Sequence, residues 1–345
     1  MTSRHRTLKV DASLLAGSID EIARTAAAAE SVGFDGIQTA EAAHDPFLPL
    51  LAAAEHSKRL DLATSIAVAF PRSPMITAYT AWDLQRYSKG RFILGLGTQV
   101  RGHNIRRFSI PWDKPGPRLR EVILSLRAIW DCWQNGTPLD FEGEYYRFSL
   151  MTPFFNPGPQ SDPHVPIYIA GVNRYICKLA GELCDGFFVH PLHSVRYVDE
   201  IVKPLIAAGA ERAGRNAEDC KLSASCFVVA GGNPQELANA AEAIKQQIAF
   251  YASTPAYAPV FAAHGWEQTA TELTELSRQG RWGDMGTLIS DEMLAEFAVV
   301  GRREDIAARL REKYHGRVDR VSPYLPFSAD TDPDWWRDLT RTLHA

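Results

Sequence analysis

Four side chains that can donate or accept a proton follow short apolar runs in this 345-residue sequence: Glu41, His44, His103 and His190. A carboxyl or imidazole group can act as a general acid or base when it lies within hydrogen-bond reach of a reacting atom. We predict Glu41 and His44 as the catalytic pair, and we expect burial to raise the pKa of the Glu41 carboxyl group toward the range of a proton donor. Two alternatives stay open: Glu41 only ties loops together by hydrogen bonds, or a histidine carries the proton.

Metal and nucleophile chemistry have less support in the sequence. His190 and His193 are three residues apart and His44 stands beside an aspartate, but the first apolar run lacks the H-x-H pair of a metal-dependent barrel hydrolase. We therefore predict no metal site. No G-x-S-x-G sequence for a serine nucleophile occurs. Lys9 and Lys221 stand near the starts of apolar runs, where a Schiff-base lysine would not be placed.

Small and polar residues gather where the apolar runs end. In chain order they are Asp11; Thr39, Ala40 and Glu41; Ser65 and Ile66; Gly97, Thr98 and Gln99; Ala170, Gly171 and Val172; and His190. Glycine and alanine let a flat ring or a phosphate approach the backbone closely, and N–H groups that open a following helix favour an anion. This pattern predicts a binding site for a ring or a phosphate. The structural alternative is that small residues merely fit the taper of a barrel.

The apolar runs alternate with helical segments along the chain, which predicts eight βα units. The predicted strands are Leu8–Ala12, Gly36–Ala40, Leu60–Ala69, Phe92–Gly97, Ile167–Ala170, Gly186–His190, Leu222–Ala230 and Val318–Leu325. Several have no polar alternation, which is typical of parallel strands covered by helices. Eight such units predict a (β/α)8 TIM barrel. A doubly wound nucleotide-binding sheet does not fit, because the one G-x-G sequence, at residues 95–97, lies in the fourth strand and lacks a third glycine.

Helix starts and two insertions complete the predicted organisation. Ser18 and Glu21 form a capping box, and four residues that favour N-caps precede a proline: Asp45, Ser73, Asn233 and Asp332. We expect a single domain over residues 1–345. Insertions at about 137–165, beginning with a hairpin, and at about 254–300 are expected to extend loops at the carboxyl ends of the strands. Such loops commonly build lids or substrate pockets in barrels.

Composition and charge exclude several classes of protein. Hydrophobic residues make up 46% and charged residues 23% of the chain, which is no signature of disorder. A net charge of -4 argues against a general nucleic-acid binder. No apolar run approaches the ~18 residues of a membrane span, and residues 1–6 are too polar for a secretory signal. The five cysteines are odd in number and never spaced C-x-x-C, which indicates buried thiols in the cytoplasm.

With these residues in place, the sequence resembles the bacterial luciferase-like flavin and deazaflavin oxidoreductases. The matching segments are residues 30–36 (ESVGFDG), 62–66 (LATSI), 88–98 (SKGRFILGLGT), 166–171 (PIYIAG) and 179–186 (LAGELCDG). Within this superfamily the sequence is most similar to the branch that uses coenzyme F420, a deazaflavin. That likeness lies in residues 72–75 (RSPM), 81–85 (AWDLQ) and 95–100 (GLGTQV).

The resemblance implies a cofactor ring at the carboxyl mouth of the barrel and a non-proline cis peptide bond between Ser65 and Ile66, behind the ring. It implies contacts to the cofactor from Ser65, Ile66, Gly97, Thr98, Gln99, His103, Ala170, Gly171, Val172 and His190. The cofactor phosphate is expected on the N–H groups of Gly171 and Val172, with Asn173 or Arg174 assisting. It also implies a homodimer, paired through the helices that carry residues 52–54 and 78–82.

The resemblance has departures that bear on the substrate. Sugar-phosphate dehydrogenases of the superfamily carry an Asp-His pair and a glutamate where this sequence has Ala40-Glu41 and Val100. We therefore expect hydride transfer between the deazaflavin and a small, largely apolar substrate. One alternative is a monooxygenase that uses FMN and oxygen. Another is a flavin-binding or storage protein.

Overall fold

The computed structural model describes residues 7–14 and 17–345. Its strands in chain order are β1 (Lys9–Ser13), β2 (Gly36–Thr39), β3 (Asp61–Thr64), β4 (Ala67–Val68), β5 (Phe92–Gly97), β6 (Phe141–Glu142), β7 (Arg147–Phe148), β8 (Ile167–Ala170), β9 (Gly186–Val189), β10 (Lys221–Gly231), β11 (Ala298–Arg302) and β12 (Arg320–Pro323). Residues 1–6 and residues 15 and 16 lie outside the described part of the chain. The prediction that there is no secretory signal rests on residues 1–6.

Eight of these strands are parallel and close into a barrel. Its order is β1, β2, β3, β5, β8, β9, β10 and β12, and β12 pairs back onto β1. The barrel strands are almost wholly buried, as expected for apolar runs with helices outside and side chains inside. The predicted (β/α)8 barrel is therefore confirmed.

Helices follow the strands and form the outer layer of the barrel. They are α1 (Ile19–Val32), α2 (Leu48–Glu55), α3 (Pro74–Tyr87), α4 (Arg101–Arg106), α5 (Pro115–Asn135), α6 (Arg174–Leu183), α7 (Val195–Tyr197), α8 (Lys203–Arg212), α9 (Pro234–Ala252), α10 (Ala258–Ala262), α11 (Glu267–Arg278), α12 (Asp291–Phe297), α13 (Ile306–Tyr314) and α14 (Pro333–His344). In the described part of the chain, none of them has both the length and the apolar character to cross a membrane.

The sequence signals for helix starts are largely confirmed. The capping box of Ser18 and Glu21 is present, and Ser73, Asn233 and Asp332 each cap the helix that begins at the next residue. The exception is Asp45, because α2 begins three residues later, at Leu48. Oδ1 of Asp45 nevertheless accepts the N–H groups of Phe47 and Leu48, at 2.8 and 3.1 Å. Asp45 therefore accepts hydrogen bonds from the N–H groups at the start of α2 although it lies outside the helix.

The third predicted strand, Leu60–Ala69, is two strands in the structure. β3 ends at Thr64, the peptide bond between Ser65 and Ile66 is cis, and β4 resumes at Ala67 to pair with β5. The predicted cis peptide bond is thus confirmed. Apolar character alone could not show the interruption, because residues on both sides of it are buried.

β11 was not predicted as a strand. β10 pairs with β9 and β12 through residues 221–226, and its last five residues, 227–231, pair with β11 instead. β11 begins at the end of the segment 254–300, where several short helical patterns obscured a five-residue strand. In the other predicted insertion, β6 and β7 form the expected antiparallel hairpin.

Charged side chains lie buried at the amino end of the barrel. Arg320 donates to both carboxylate oxygens of Asp11, at 2.5 and 2.8 Å, and to Asp61 at 2.7 Å. We had expected Asp11 at a carboxyl strand end, and that placement is wrong. β1 starts at Lys9 and Asp11 pairs in register with Gly36, the first residue of β2, so Asp11 belongs to the stabilising end of the barrel.

The five cysteines are Cys132, Cys177, Cys184, Cys220 and Cys226, and all are buried free thiols, as predicted. Burial raises the pKa of each of them. A raised pKa keeps a thiol protonated, so these groups pack as small apolar side chains.

Candidate functional site

A cavity of about 730 Å³ opens at the carboxyl ends of the barrel strands. This volume lies in the usual range for a site that encloses a small organic molecule. Ten of the predicted site residues line it: Glu41, Ser65, Ile66, Gly97, Thr98, Gln99, Ala170, Gly171, Val172 and His190. They arrive from five barrel strands, so the closing of the barrel is what brings them together.

His44 and His103 do not line this cavity. The chain turns outward just after Glu41, where the N–H of Ala42 donates to the carbonyl of Ala40. His44 is consequently exposed and lies in a second depression, on the outside, lined by residues of α1 and α2 and by Tyr87 of α3. His103 is exposed on α4. Neither histidine is among the residues that line the cavity with Glu41 and His190.

The segment around the cis peptide bond and β5 form one wall of the cavity. A Cβ atom on Gly97 would lie 2.7 Å from Cδ1 of Ile66, so only glycine allows the Ile66 side chain to pack there. Beneath them, the Thr64 hydroxyl accepts the N–H of Gly95 and donates to the Gly95 carbonyl, each at 2.8 Å. This part of the wall therefore consists of backbone and of the Ile66 side chain, with Ser65 beside them.

Glu41 lies on the cavity wall with its carboxylate already engaged. Its Oε2 accepts the N–H of Val68 and Nη1 of Arg72, each at 2.7 Å. Its side chain is 8% exposed, and its own N–H donates to the Ile66 carbonyl at 3.1 Å. Although burial opposes the charged guanidinium, the carboxylates of Glu41 and Asp45 raise the pKa of Arg72. Glu41 therefore connects the loop after β2 to the loop around β4.

The loop after β8 forms a second wall, where a phosphate was predicted. Gly171, Val172 and Asn173 line the cavity there, and α6 begins at Arg174. The Asn173 side chain caps α6 by accepting the Ile176 N–H at 2.9 Å, and the Tyr197 hydroxyl donates to the Val172 carbonyl at 2.7 Å. Asn173 Oδ1 is thus committed to the helix.

An aromatic wall that was not predicted completes the cavity. Gln247 and Tyr251 come from α9, Tyr257 follows shortly after, and Tyr324 follows β12. The ring of His190 lies 4.7 Å from that of Tyr251 and 4.5 Å from that of Tyr257. No short motif marks these tyrosines. The one sequence signal that pointed toward this wall was the predicted insertion from about residue 254 onward, which was expected to help form a pocket and which contains Tyr257.

Burial changes the ionisation of the groups on this wall. It lowers the pKa of His190 to about 3, with a smaller contribution from His193. It raises the pKa of Tyr257 to about 12. Both groups are therefore uncharged at neutral pH. In the described part of the chain, no three His, Cys, Asp or Glu side chains come together as a metal would require.

Comparison with known proteins agrees with this architecture. Residues 4–320 match the model of the luciferase-like monooxygenase family. The chain is 51% identical to a Mycobacterium tuberculosis protein of undescribed activity, over 92% of this chain and 93% of that protein. It is 31% identical to another M. tuberculosis protein, named as a candidate coenzyme F420-dependent oxidoreductase, over 81% and 83% of the two chains.

A solved structure shares the fold. The coenzyme F420-dependent tetrahydromethanopterin reductase of Methanopyrus kandleri superposes with a TM-score of 0.75 at 21% identity, covering 96% of each chain. The family match extends over most of the sequence, and the 31%-identical relative is matched over four-fifths of its length. The chain therefore belongs to the luciferase-like monooxygenase family, and proteins named for coenzyme F420 are among its relatives.

Proposed function

We propose that this protein is an F420-dependent oxidoreductase that transfers hydride between the deazaflavin and a small, uncharged, largely apolar substrate. The observation that carries the proposal is the cavity itself. Among the described residues that line it, Glu41 is the only formally charged group, and it is paired with Arg72. The choice of cofactor is supported by the 31%-identical relative, which is named for coenzyme F420.

The residues present fit a deazaflavin. The wall of Ser65, Ile66 and Gly97 offers a planar ring the backbone and the aliphatic side chain of Ile66, for which glycine at position 97 leaves room. The cavity volume suits a tricyclic ring together with a small second molecule. When bound, the deazaflavin would supply hydride chemistry, and the protein would supply orientation and the surrounding charges.

We assign the remaining predicted cofactor contacts along the cavity walls. Thr98 and Gln99 follow the ring wall, and Ala170, Gly171 and Val172 form the wall for the phosphate. Since the Asn173 side chain is used as a helix cap, Arg174 is the side chain that would assist the backbone N–H groups. Arg174 is exposed and follows Asn173, the last residue of this loop that lines the cavity.

Glu41 is the one carboxyl group among the described residues that line the cavity, and we propose two roles for it. Oε2 positions the loops through Val68 and Arg72. Oε1 makes no hydrogen bond within the described part of the chain, which leaves it to exchange a proton with bound molecules. His44, which was predicted to act with Glu41, is separated from the cavity by the outward turn of the chain. Glu41 would therefore have to transfer a proton without help from His44.

We also propose a homodimer, although the residues first considered for its interface are poorly placed. Ala53, Ala78, Ala81 and Trp82 are buried within the chain. Large apolar side chains are exposed nearby instead: Ile19, Leu48, Leu51, Ile76 and Tyr87. An exposed apolar surface of this kind marks a contact between proteins. We place the dimer contact on these five residues.

Titration of the purified protein with oxidised F420 and with FMN tests the proposed cofactor. Fluorescence of each ligand is followed on addition of protein, with riboflavin as a ligand that lacks a phosphate. We expect saturable binding of F420 and binding of FMN that is at least tenfold weaker. Tight binding of FMN without a response to F420 would favour the alternative, an FMN-dependent monooxygenase of the kind for which the family is named.

A further inference from the structure

His190 stands at the end of the sixth barrel strand, β9, and is held from several sides. Its ring contacts those of Tyr251 and Tyr257, which also contact each other, at 6.2 Å between centroids. Its carbonyl oxygen lies 2.8 Å from Nδ1 of His193, whose Nε2 lies 3.0 Å from the Tyr314 hydroxyl. Backbone and side chain are therefore both fixed, so the ring has one orientation in the cavity wall.

The hydrogen bonds of His190 also fix its tautomer. The N–H of Leu192 donates to Nδ1 of His190 at 3.1 Å. A nitrogen that accepts a hydrogen bond carries no proton, so the proton of the neutral ring is on Nε2. Within the described residues Nε2 has no partner, yet it is not among the fully enclosed polar atoms that lack one. It is therefore an N–H donor that can be reached from the cavity.

The aromatic wall differs from the walls assigned to the cofactor. The residues assigned to the cofactor walls include no aromatic ring, whereas His190 is accompanied by Tyr251, Tyr257 and Tyr324. No lysine or arginine is found among the described residues that line the cavity. A carboxylate or phosphate placed against the aromatic wall would lose its water without gaining a counter-ion, which is costly. An uncharged molecule with one hydrogen-bond acceptor would lose much less.

We propose that Nε2–H of His190 binds the acceptor atom of the substrate, and that the substrate is an uncharged carbonyl or imine compound with a flat, apolar body. The proposal rests on the function proposed above and names its substrate class. A neutral imidazole can polarise a carbonyl group without giving up its proton. His190 thus takes a place that Asp11, His44 and His103 cannot take, because they lie outside the cavity.

The test uses the protein loaded with oxidised F420, with which a carbonyl compound binds but is not reduced. Acetophenone and benzoate serve as probes, since they share the flat ring and differ in charge. Binding is measured by calorimetry and by the change in absorbance of the bound deazaflavin. We expect acetophenone to bind at least tenfold more tightly than benzoate.

Three variants assign the binding to His190. His190→Leu removes the donor and should weaken acetophenone binding about tenfold, the usual effect of one lost hydrogen bond, while the Kd for F420 changes less than threefold. His190→Gln keeps an N–H donor at the same distance along the side chain and should restore most of the binding. His44→Gln, an exposed histidine outside the cavity, is the matched control. Melting temperatures establish that each variant is folded.

The proposal is overturned by equal binding of the two probes, by no binding of acetophenone, or by unchanged acetophenone binding in His190→Leu. Loss of F420 affinity in that variant would also overturn it, because His190 would then contact the cofactor. If the wild-type protein does not bind F420, the proposed function fails separately. The two probes are then compared on the protein alone by ligand-observed NMR, with the same expected order of affinity and the same variants.

Discussion

Nη1 of Arg72 lies 2.7 Å from Oε2 of Glu41, and the same oxygen accepts the backbone N–H of Val68 at the same distance. One carboxylate oxygen therefore accepts hydrogen bonds both from the side chain of Arg72, two residues before α3, and from the backbone of β4. A mostly buried charge that loses its partner is destabilising. This arrangement gives Glu41 a structural role that can be measured apart from any proton transfer.

We expect Glu41→Gln and Arg72→Met each to lower the free energy of unfolding, and their effects not to add. A double-mutant cycle by urea unfolding should give a coupling energy of about 1–3 kcal/mol between the two residues. A coupling energy near zero would remove the positioning role.

Once a substrate is known, Glu41→Gln should lower turnover by about 10²-fold if the carboxyl group also moves a proton.

Stability should fall in mild acid because of two buried histidines. Burial lowers the pKa of His190 to about 3 and that of His193 to about 4, from an ordinary value of 6.5. Below pH 6.5 the unfolded chain binds protons that the folded chain does not. Each histidine should therefore remove up to about 1.4 kcal/mol per pH unit as the pH falls from 6.5 toward 4.

Urea unfolding between pH 7.5 and 4.5 measures this loss, and His193→Gln should make the dependence on pH less steep. His344 acts in the opposite sense, because its hydrogen bond to Asp35 raises its pKa. Its contribution is full below pH 6.5 and is lost as the pH rises. His344→Gln should thus remove a gain in stability that accompanies the fall from pH 7.5 to 6.5, and should leave the loss below pH 6.5 unchanged. An unchanged slope in His193→Gln would contradict the assignment.

Arg174 should contribute to cofactor binding by its charge. We expect Arg174→Gln to weaken F420 binding about tenfold at low salt and to make binding less sensitive to salt, since a charge contact is screened by ions. Lys178→Gln, an exposed cation one turn further along α6, is the matched control. Equal effects of the two variants would point to general attraction. Gly171 is a poor test, because a Cβ there would lie 2.7 Å from Cγ2 of Ile176 and disturb the fold.

The proposed dimer contact can be tested at Leu48, which is 70% exposed. A charge in an apolar contact must be desolvated, so Leu48→Asp should convert a dimer into a monomer at micromolar concentration. Multi-angle light scattering measures the mass. Phe154→Asp changes an even more exposed residue, at 88%, outside the proposed contact, and should leave the dimer intact. A wild-type monomer would end the dimer proposal.

Much of the barrel could be predicted because its strands are apolar on both faces and its helices start at recognisable caps. The residues at the strand ends followed from this placement, so Gly97 and Gly171 could be assigned to one mouth. Asp11 was misplaced because β1 runs on to Ser13, one residue beyond the predicted end, so that Asp11 stands in the middle of a five-residue strand and not at its carboxyl end. Composition cannot fix that boundary.

The other differences arise where the path of a loop decides the outcome. Glu41 and His44 are three residues apart, yet a turn at Ala42 sends them to different surfaces. Tyr251 and Tyr257 reach the cavity only because the end of α9 folds back over His190. Such contacts join residues about sixty positions apart, and no local pattern of residue types encodes them.

The divided pairing of β10 has a consequence for how molecules are selected. The segment that carries Tyr251 and Tyr257 leaves β10 after Gly231 and returns in β11, which is paired with β10 over five residues. Both of its ends are thereby fastened to the barrel. A wall built in this way is preorganised, so little conformational entropy is lost when a molecule binds against it. A molecule is then selected by how well its shape fits a surface that exists before binding. Replacing single tyrosines should change which molecules bind without disturbing the barrel.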